Sequence, residues 1–415
     1  MKKVFFKTFG CRTNQFDTQV MISKLKDHQL TQDECDAEVI VVNSCTVTNG
    51  ADSSVRNYIA SVQRKNPQAK VILAGCGSHS KGESLFSQKR VFGVMGHSEK
   101  EKINEILHKE QPFYEIGDLA HIDTTVVEEF VGKSRAFIKI QEGCDFECSY
   151  CIIPAVRGGA RSHREETVIE QVRKLAANGF GEFILTGTNV GSYGKDSDTS
   201  IATLLQKLSQ IRGVRRIRLG SLEPIQIDDA FMELLNEPWM AKHLHIALQH
   251  TSDKMLQIMK RRNRFESDLK LFEQIASHDY ALGTDFIVGH PGEDEATWQE
   301  AMQRIEMLPL THIHAFTYSK RDNTHSATLK PEIRGNIAKA RHKELTQAIK
   351  AKNLAFRQNR HQGLEVLLES GKEGRFYGYD QYYNKIEVQS GDDLSNNWVY
   401  IEEATVHEEM NHATL

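Results

Sequence analysis

AFIKIQEGCDFECSYC, residues 136–151, is the stretch on which the reading of this chain turns. Its first six residues (136–141) are an apolar, strand-like run, and three cysteines follow directly: Cys144, Cys148 and Cys151, in a CxxxCxxC spacing. Structural zinc sites want four ligands, usually as two CxxC or HxxxH pairs. No second pair follows nearby, and the nearest fourth ligand, His163, lies beyond the turn-like VRGGARSH. Three thiolates suit a four-iron, four-sulfur cluster instead, with one cysteine on each of three irons and the fourth iron open to a substrate or cofactor.

Working outward, 415 residues exceed what one hydrophobic core holds, so two or three domains are expected. Hydrophobic residues at 39% and charged residues at 26% describe a globular chain and exclude a fibre or a disordered tail. The N-terminal apolar stretch is broken at Lys7 and no apolar run approaches membrane-spanning length, so a cytoplasmic protein is expected. Lys plus Arg number 52 against 56 Asp plus Glu, a net of -4, so a nucleic-acid surface must be local. In a reducing compartment seven cysteines point to metal binding or catalysis rather than to disulfides.

Three of the remaining cysteines share a context. Cys11 follows VFFKTFG, Cys45 follows EVIVVNS and Cys76 follows KVILAG, each just past a run that reads as a buried parallel strand. Helix-like segments at 18–27 and 55–64 alternate with these runs, the pattern of an open α/β sheet whose ligands gather at the carboxyl ends of the strands. Cys11, Cys45 and Cys76 are therefore expected together as a second three-thiolate site, although buried cysteines at strand ends are also ordinary core residues. Cys35, in the polar TQDECDAE, has no such context and is read as a bystander.

The CxxxCxxC motif with Tyr150 before its last cysteine resembles the radical S-adenosylmethionine enzymes. Two three-cysteine groups in this order are similar to the methylthiotransferases, and the likeness runs along nearly the whole chain. It is carried by TFGCRTNQFDT, NSCTVT, AGCGS, IIPAVRGGARS, LTGTNVGSYG, GSLEP, LQHTSDKMLQIMKRR and DFIVGHPGED. TFGCRTNQ, NSCTVT and RGGARS most resemble the branch that modifies N6-threonylcarbamoyladenosine in tRNA, at position 37 next to the anticodon. The resemblance implies two 4Fe-4S clusters and S-adenosylmethionine, one cluster at Cys144, Cys148 and Cys151 generating the radical, the other at Cys11, Cys45 and Cys76 carrying the sulfur. It also implies the tRNA anticodon loop as partner and a flavodoxin- or ferredoxin-like electron donor. The chemistry fits such a pair of sites, because an aromatic C–H proton is far too weakly acidic for a protein base matched to neutral pH.

Counting 136–141 as the first, six short apolar runs alternate with amphipathic helices, which predicts a partial (β/α)6 barrel over 129–358, with its ligand face at the carboxyl ends of the strands. Gly187, Asn189, Glu223, Gln249 and Gly289 fall at that face and, with Tyr150, are the candidate cofactor contacts; His250 falls there too. Gly187 offers close backbone approach to the cofactor's amino acid moiety, and Glu223 a partner for its ammonium or ribose hydroxyls. Residues 1–128 form the N-terminal α/β domain. Residues 359–415 read as a small antiparallel β-barrel resembling the TRAM RNA-binding domain. Its Phe376, Tyr377, Tyr379, Tyr382 and Tyr383 either stack on bases or fill its core, about half each, because strands alternate faces. Arg157, Arg161, Arg164, Arg215 and Arg216 are the candidate phosphate contacts, whereas Lys260, Arg261, Arg262 and Arg264 read as charge complementing a helix end. The reading alternatives are a methylthiotransferase acting on isopentenyladenosine or a ribosomal protein, and a non-catalytic iron–sulfur or zinc RNA-binding protein.

Overall fold

The computed structural model of the chain describes residues 1–130 and 132–415. The β-branched runs of the N-terminal third become strands β1 (Lys3–Thr8), β2 (Gln29–Leu30), β3 (Val39–Ser44), β4 (Lys70–Gly75), β5 (Gly93–Met95) and β6 (Phe113–Glu115). They form one parallel sheet in the order β2-β1-β3-β4-β5-β6. Every residue of VIVVNS in β3 is buried, as helix cover on both faces of a parallel sheet requires. The chain leaves β1 for one edge and then, from β3 on, builds towards the other. The switch point thus lies between β1 and β3, where ligands of open α/β sheets collect.

The first helix runs Arg12–Ser23 rather than 18–27, and the second Asn49–Lys65 rather than 55–64. Both start earlier because their first turns carry no apolar periodicity. The second is set by the Thr48 side chain, which accepts from the Ala51 N–H, and the first by Asn14, which donates to the Phe9 and Ser44 carbonyls.

The central segment contains β7 (Ala136–Lys139), the short antiparallel pair β8 (Gln141–Glu142) and β9 (Arg161–Ser162), then β10 (Glu182–Thr186), β11 (Arg216–Leu219), β12 (His243–His245), β13 (Ala281–Val288) and β14 (Leu310–Thr317). Two parallel sheets, β7-β10-β11 and β12-β13-β14, are joined by the bridges Ile217–Met240 and Leu222–Ile246 into a six-strand open barrel. A helix at Phe265–Ala276, between the fourth and fifth strands, goes beyond the sequence reading. The core of this barrel includes Phe16 and Val20 of the first helix, so the N-terminal domain packs as part of it.

The C-terminal strands β15 (Gln362–Leu368), β16 (Arg375–Tyr379), β17 (Lys385–Gln389), β18 (Trp398–Glu403), β19 (Thr405–Val406) and β20 (Asn411–Thr414) form one sheet, β18-β15-β16-β17-β20-β19. The expected wholly antiparallel barrel is corrected in one pairing: β17 and β20 run parallel, Ile386 opposite Asn411. The last two strands are short and polar, which hid them in the sequence. Phe376 and Tyr382 enter the core of this sheet, while Tyr379 and Tyr383 stack at 4.8 Å on its barrel-facing side.

A buried ionic cluster holds the N-terminal domain to the barrel. Lys139 of β7 reaches Asp17 at 2.6 Å and Glu142 at 3.1 Å, and also pairs with Asp123; Lys100 meets Asp123 at 2.5 Å and Asp17 at 3.6 Å. Arg157 completes it, with Asp17 at 3.0 Å and Glu142 on its other arm. Three acids face three bases here, which offsets the cost of desolvating them.

Candidate functional site

Each N-terminal thiol sits just past a strand, Cys45 and Cys76 directly after β3 and β4 and Cys11 three residues after β1. Cys11 caps the helix Arg12–Ser23 and Cys76 opens the helix Cys76–Ser87, so two of the three sulfurs meet the positive ends of helix dipoles, which favour a thiolate. Gly10, at φ +97°, makes the turn that delivers Cys11, and a Cβ there would lie 2.6 Å from that of Cys45. Gly75, at φ +80°, does the same for Cys76. Burial pushes the Cys76 thiol up to about 12, against the pull of Arg157, whose Nε donates to its sulfur at 3.2 Å. The Cys45 thiol is raised by burial, with the charge of Cys11 adding to it.

The second trio lies on the loop after β7 and β8. Its sulfurs accept from the chain itself: Cys144 from the Phe146 N–H at 3.5 Å and the Asn189 amide at 3.8 Å, Cys151 from the Ile153 N–H at 3.4 Å, Cys148 from Arg261 at 3.6 Å. Burial raises the Cys144 thiol and pushes Cys151 up to about 12, with the neighbouring cysteines' charges adding in both. All six cysteines line one cavity of about 390 Å³. Tyr150, Gly187, Asn189, Glu223 and Gln249 line it as well. A Cβ on Gly187 would stand 2.8 Å from the Gln141 carbonyl, so only glycine fits there without a shift.

A second chamber of about 640 Å³ opens from the first and shares Cys11, Thr13, Gly187, Ser221 and Asp285 with it. Its wall carries His243, His245, His312 and His314 from β12 and β14, and Tyr379, Tyr383 and Asn384 from the C-terminal sheet. Asp285 accepts from His245 at 3.0 Å and lies 3.4 Å from His314. Burial alone would raise Asp285, but these two histidines hold it below the usual carboxylate range.

Family comparisons agree with this geometry. Residues 3–96 match the model described as uncharacterized protein family UPF0004, and residues 138–305 match the Radical SAM superfamily. A Helicobacter pylori protein provisionally described as a methylthiotransferase is 52% identical over 100% of both chains. The threonylcarbamoyladenosine tRNA methylthiotransferase MtaB of Aquifex aeolicus is 35% identical, covering 85% of this chain and 89% of its own. The chain belongs to the radical S-adenosylmethionine methylthiotransferase family. Within the same range, a tRNA-2-methylthio-N(6)-dimethylallyladenosine synthase of Sulfurovum is 32% identical over 81% of each chain. For the fold alone, the radical S-adenosylmethionine methyltransferase TsrM from Kitasatospora setae superposes with a TM-score of 0.61 at 15% identity, covering 79% of this chain and 77% of that one.

A radical S-adenosylmethionine methylthiotransferase is a transferase that works with S-adenosylmethionine and 4Fe-4S clusters. The donor set fits that requirement. Each trio offers three thiols in one cavity, charged or N–H donors rest on four of the six sulfurs, and the proton a raised thiol holds is displaced when metal binds. Among the described residues no helix is long and apolar enough to cross a membrane.

Several sequence expectations need correction. Arg157 is 2% exposed and spends its donors on Cys76, Glu142, Asn14 and Asp17, so it is no phosphate contact but a support of the N-terminal thiols. Arg161 is buried against the His121, Arg157 and Gly159 carbonyls. Arg216 pairs with Glu182 at 3.1 Å, and Arg215 and Arg216 both lie over the Trp398 ring, at the amino end of β11, away from the cavity. Only Arg164 of that set remains exposed without such partners among the described residues. Both oxygens of Glu223 are taken by Arg261, so Glu223 is not free for an ammonium group. Arg261 itself, read as surface charge, turns inward; nothing in a KRR run shows which of three cations is buried. Gly289 lies outside the cavity, where a Cβ would meet that of Ala338 at 2.7 Å, and is a helix-packing glycine. His250 is fully buried against Glu293 at 3.3 Å. His163 is buried beside Lys139 and Asp123, away from the cavity, and Cys35 is exposed and apart from both trios.

Proposed function

We propose that this protein inserts a methylthio group at C2 of N6-threonylcarbamoyladenosine at tRNA position 37. The observation that carries the reading is the convergence of all six motif cysteines on one cavity. In this reading Cys144, Cys148 and Cys151 hold the cluster that binds S-adenosylmethionine, and Cys11, Cys45 and Cys76 hold the second. When bound, these groups supply the radical and the sulfur that replace an aromatic C–H by C–SCH3. The protein's share is electrostatic and steric. Arg157 and Arg261 each donate to a ligand sulfur while carboxylates hold both, buried Asp17 and Glu142 for Arg157 and half-buried Glu223 for Arg261, which fixes their direction. Gly187 and Asn189 offer backbone and amide groups to the cofactor's amino acid moiety, with Gln249 and Tyr150 on the facing wall. Phe146, Ile152, Ile153 and Ile287 line the same space and keep water from a reactive intermediate.

The threonylcarbamoyl substrate is favoured by the TFGCRTNQ and RGGARS segments and by the relative in Aquifex aeolicus. The isopentenyl alternative is represented by the Sulfurovum relative at lower identity. The partner is then a tRNA anticodon loop, with Arg164 an exposed cation beside the radical loop. Mass spectrometry of tRNA nucleosides from a deletion strain tests the substrate: loss of 2-methylthio-N6-threonylcarbamoyladenosine is expected, and its persistence with loss of the isopentenyl derivative overturns the reading. The role assignment is tested in reconstituted enzyme. Cys148→Ala is expected to abolish reductive cleavage of S-adenosylmethionine, and Cys45→Ala to retain cleavage but lose sulfur insertion; the reverse pattern refutes it.

A further inference from the structure

Arg12 follows the first cluster cysteine directly and lines the second chamber beside it. Among the described residues it has no carboxylate partner; its one side-chain hydrogen bond is donated by Nη2 to the Tyr383 hydroxyl at 2.7 Å. The other cations of that wall are occupied. Lys350 pairs with Glu409 at 2.8 Å, Arg357 is spent on the His407 and Glu408 carbonyls, and Lys385 lies over the outer Tyr377 ring. Tyr383 is fixed on several sides: Tyr379 stacks on it, Arg218 lies 4.9 Å from its ring, His243 packs at 5.1 Å, and its backbone is held at φ +67°. A bulky residue in that left-handed region is strained, and such strain is retained where the surrounding structure fixes a side chain for use. The result is a guanidinium aimed into a cavity with most of its donors free.

We propose that the second chamber receives the N6-threonylcarbamoyl arm of the substrate base, and that Arg12 pairs with the carboxylate of that arm. This inference rests on the substrate reading above and deepens it. C2 and N6 of adenine lie on one edge of the ring, three bonds apart, so an arm on N6 must occupy space adjoining the point of sulfur delivery. Cys11 belongs to both cavities, which gives the chambers that relation. The wall is also chemically matched: its aliphatic members are Ile313 and Ile349, and the rest is dominated by histidine, threonine, tyrosine, asparagine and charged residues. A planar, permanently charged fork binds a carboxylate through two parallel hydrogen bonds, which an uncharged apolar arm cannot accept. Tyr383 is the positioning residue that holds the fork.

The test uses the fully reconstituted enzyme with anticodon stem-loop RNAs carrying N6-threonylcarbamoyladenosine, its threonine methyl ester, or isopentenyladenosine. The free acid should be preferred over the ester by roughly 10- to 100-fold in kcat/KM, the discrimination expected of a charge-assisted pair and carried in KM. Arg12→Leu should bring that ratio close to one, and Tyr383→Phe should raise KM for the acid while kcat is kept. Wild-type enzyme that methylthiolates acid and ester equally overturns the proposal without recourse to any variant, as does an Arg12→Leu enzyme that keeps the preference. Iron content near eight per chain guards against an effect through Cys11. Wild-type enzyme inactive on the acid but active on the isopentenyl RNA overturns the substrate reading itself, and the arm-binding role falls with it.

Discussion

Two arginines do for the sulfurs what the cysteine motifs could not announce. Arg157 and Arg261 each extend from a segment next to the radical loop, enter the protein and end on a thiol, one in each trio. Replacing Arg157 by Leu leaves the Asp17 and Glu142 carboxylates buried without their guanidinium, a loss expected to cost about 3–5 kcal/mol. It also strips the donor from Cys76. Iron per chain should fall from near eight towards four, with reductive cleavage of S-adenosylmethionine retained; iron analysis with a cleavage assay on the purified variant checks this. Arg261→Met removes the donor on Cys148, and a hydrogen bond to a ligand sulfur favours the reduced cluster. The midpoint potential of the radical cluster, followed by EPR-monitored titration, should move more negative. Both side chains were visible as positive charge in the sequence, but a run of cations does not say which one finds a buried acid.

At the scale of single elements, the strand-to-helix junctions set the geometry. β1, β3 and β4 end level with one another in a parallel sheet, so the residues after them share one edge, and helix starts at Cys11 and Cys76 orient the sulfurs inward. That much follows from VFFKTFGC, EVIVVNSC and KVILAGC, because mostly apolar, β-branched runs ending near a cysteine are read the same way by any parallel sheet. The close approach of the junctions was not legible, since it depends on Gly10 standing where a methyl group would press on Cys45. Gly10→Ala combines a left-handed backbone with that clash and is expected to cost at least about 2 kcal/mol. The N-terminal cluster should be lost while the EPR signal of the radical cluster persists, which reconstitution of the variant checks.

At the level of the whole molecule, the N-terminal domain and the barrel meet across a buried ionic cluster beside the apolar contact of Phe16 and Val20. Burial alone would raise Asp17 and Glu142, yet Lys100, Lys139 and Arg157 hold both carboxyls low. Carboxyls lowered in the folded protein contribute stability above their ordinary pKa, near 4, and that contribution is lost as the pH falls below it. Histidines act earlier. Burial lowers His163 and His290 to about 4 and His312 to about 3, so between these values and about 6.5 the unfolded chain binds more protons. The melting temperature should therefore decline from about pH 6.5 downwards and fall more steeply below about pH 4, as calorimetry across pH 3–8 would record. A flat profile to pH 4 would contradict the neutral state of these histidines. What the sequence by itself determined was the strand–helix alternation of the first two domains and the six thiols, because strand periodicity and cysteine spacing are local properties of the chain. Tertiary structure alone decided that the two trios face one cavity, that Arg157 serves sulfur instead of phosphate, and that Arg12 opens onto a second chamber. Those outcomes depend on which distant side chains exclude water together, and burial is a property of the assembled surfaces.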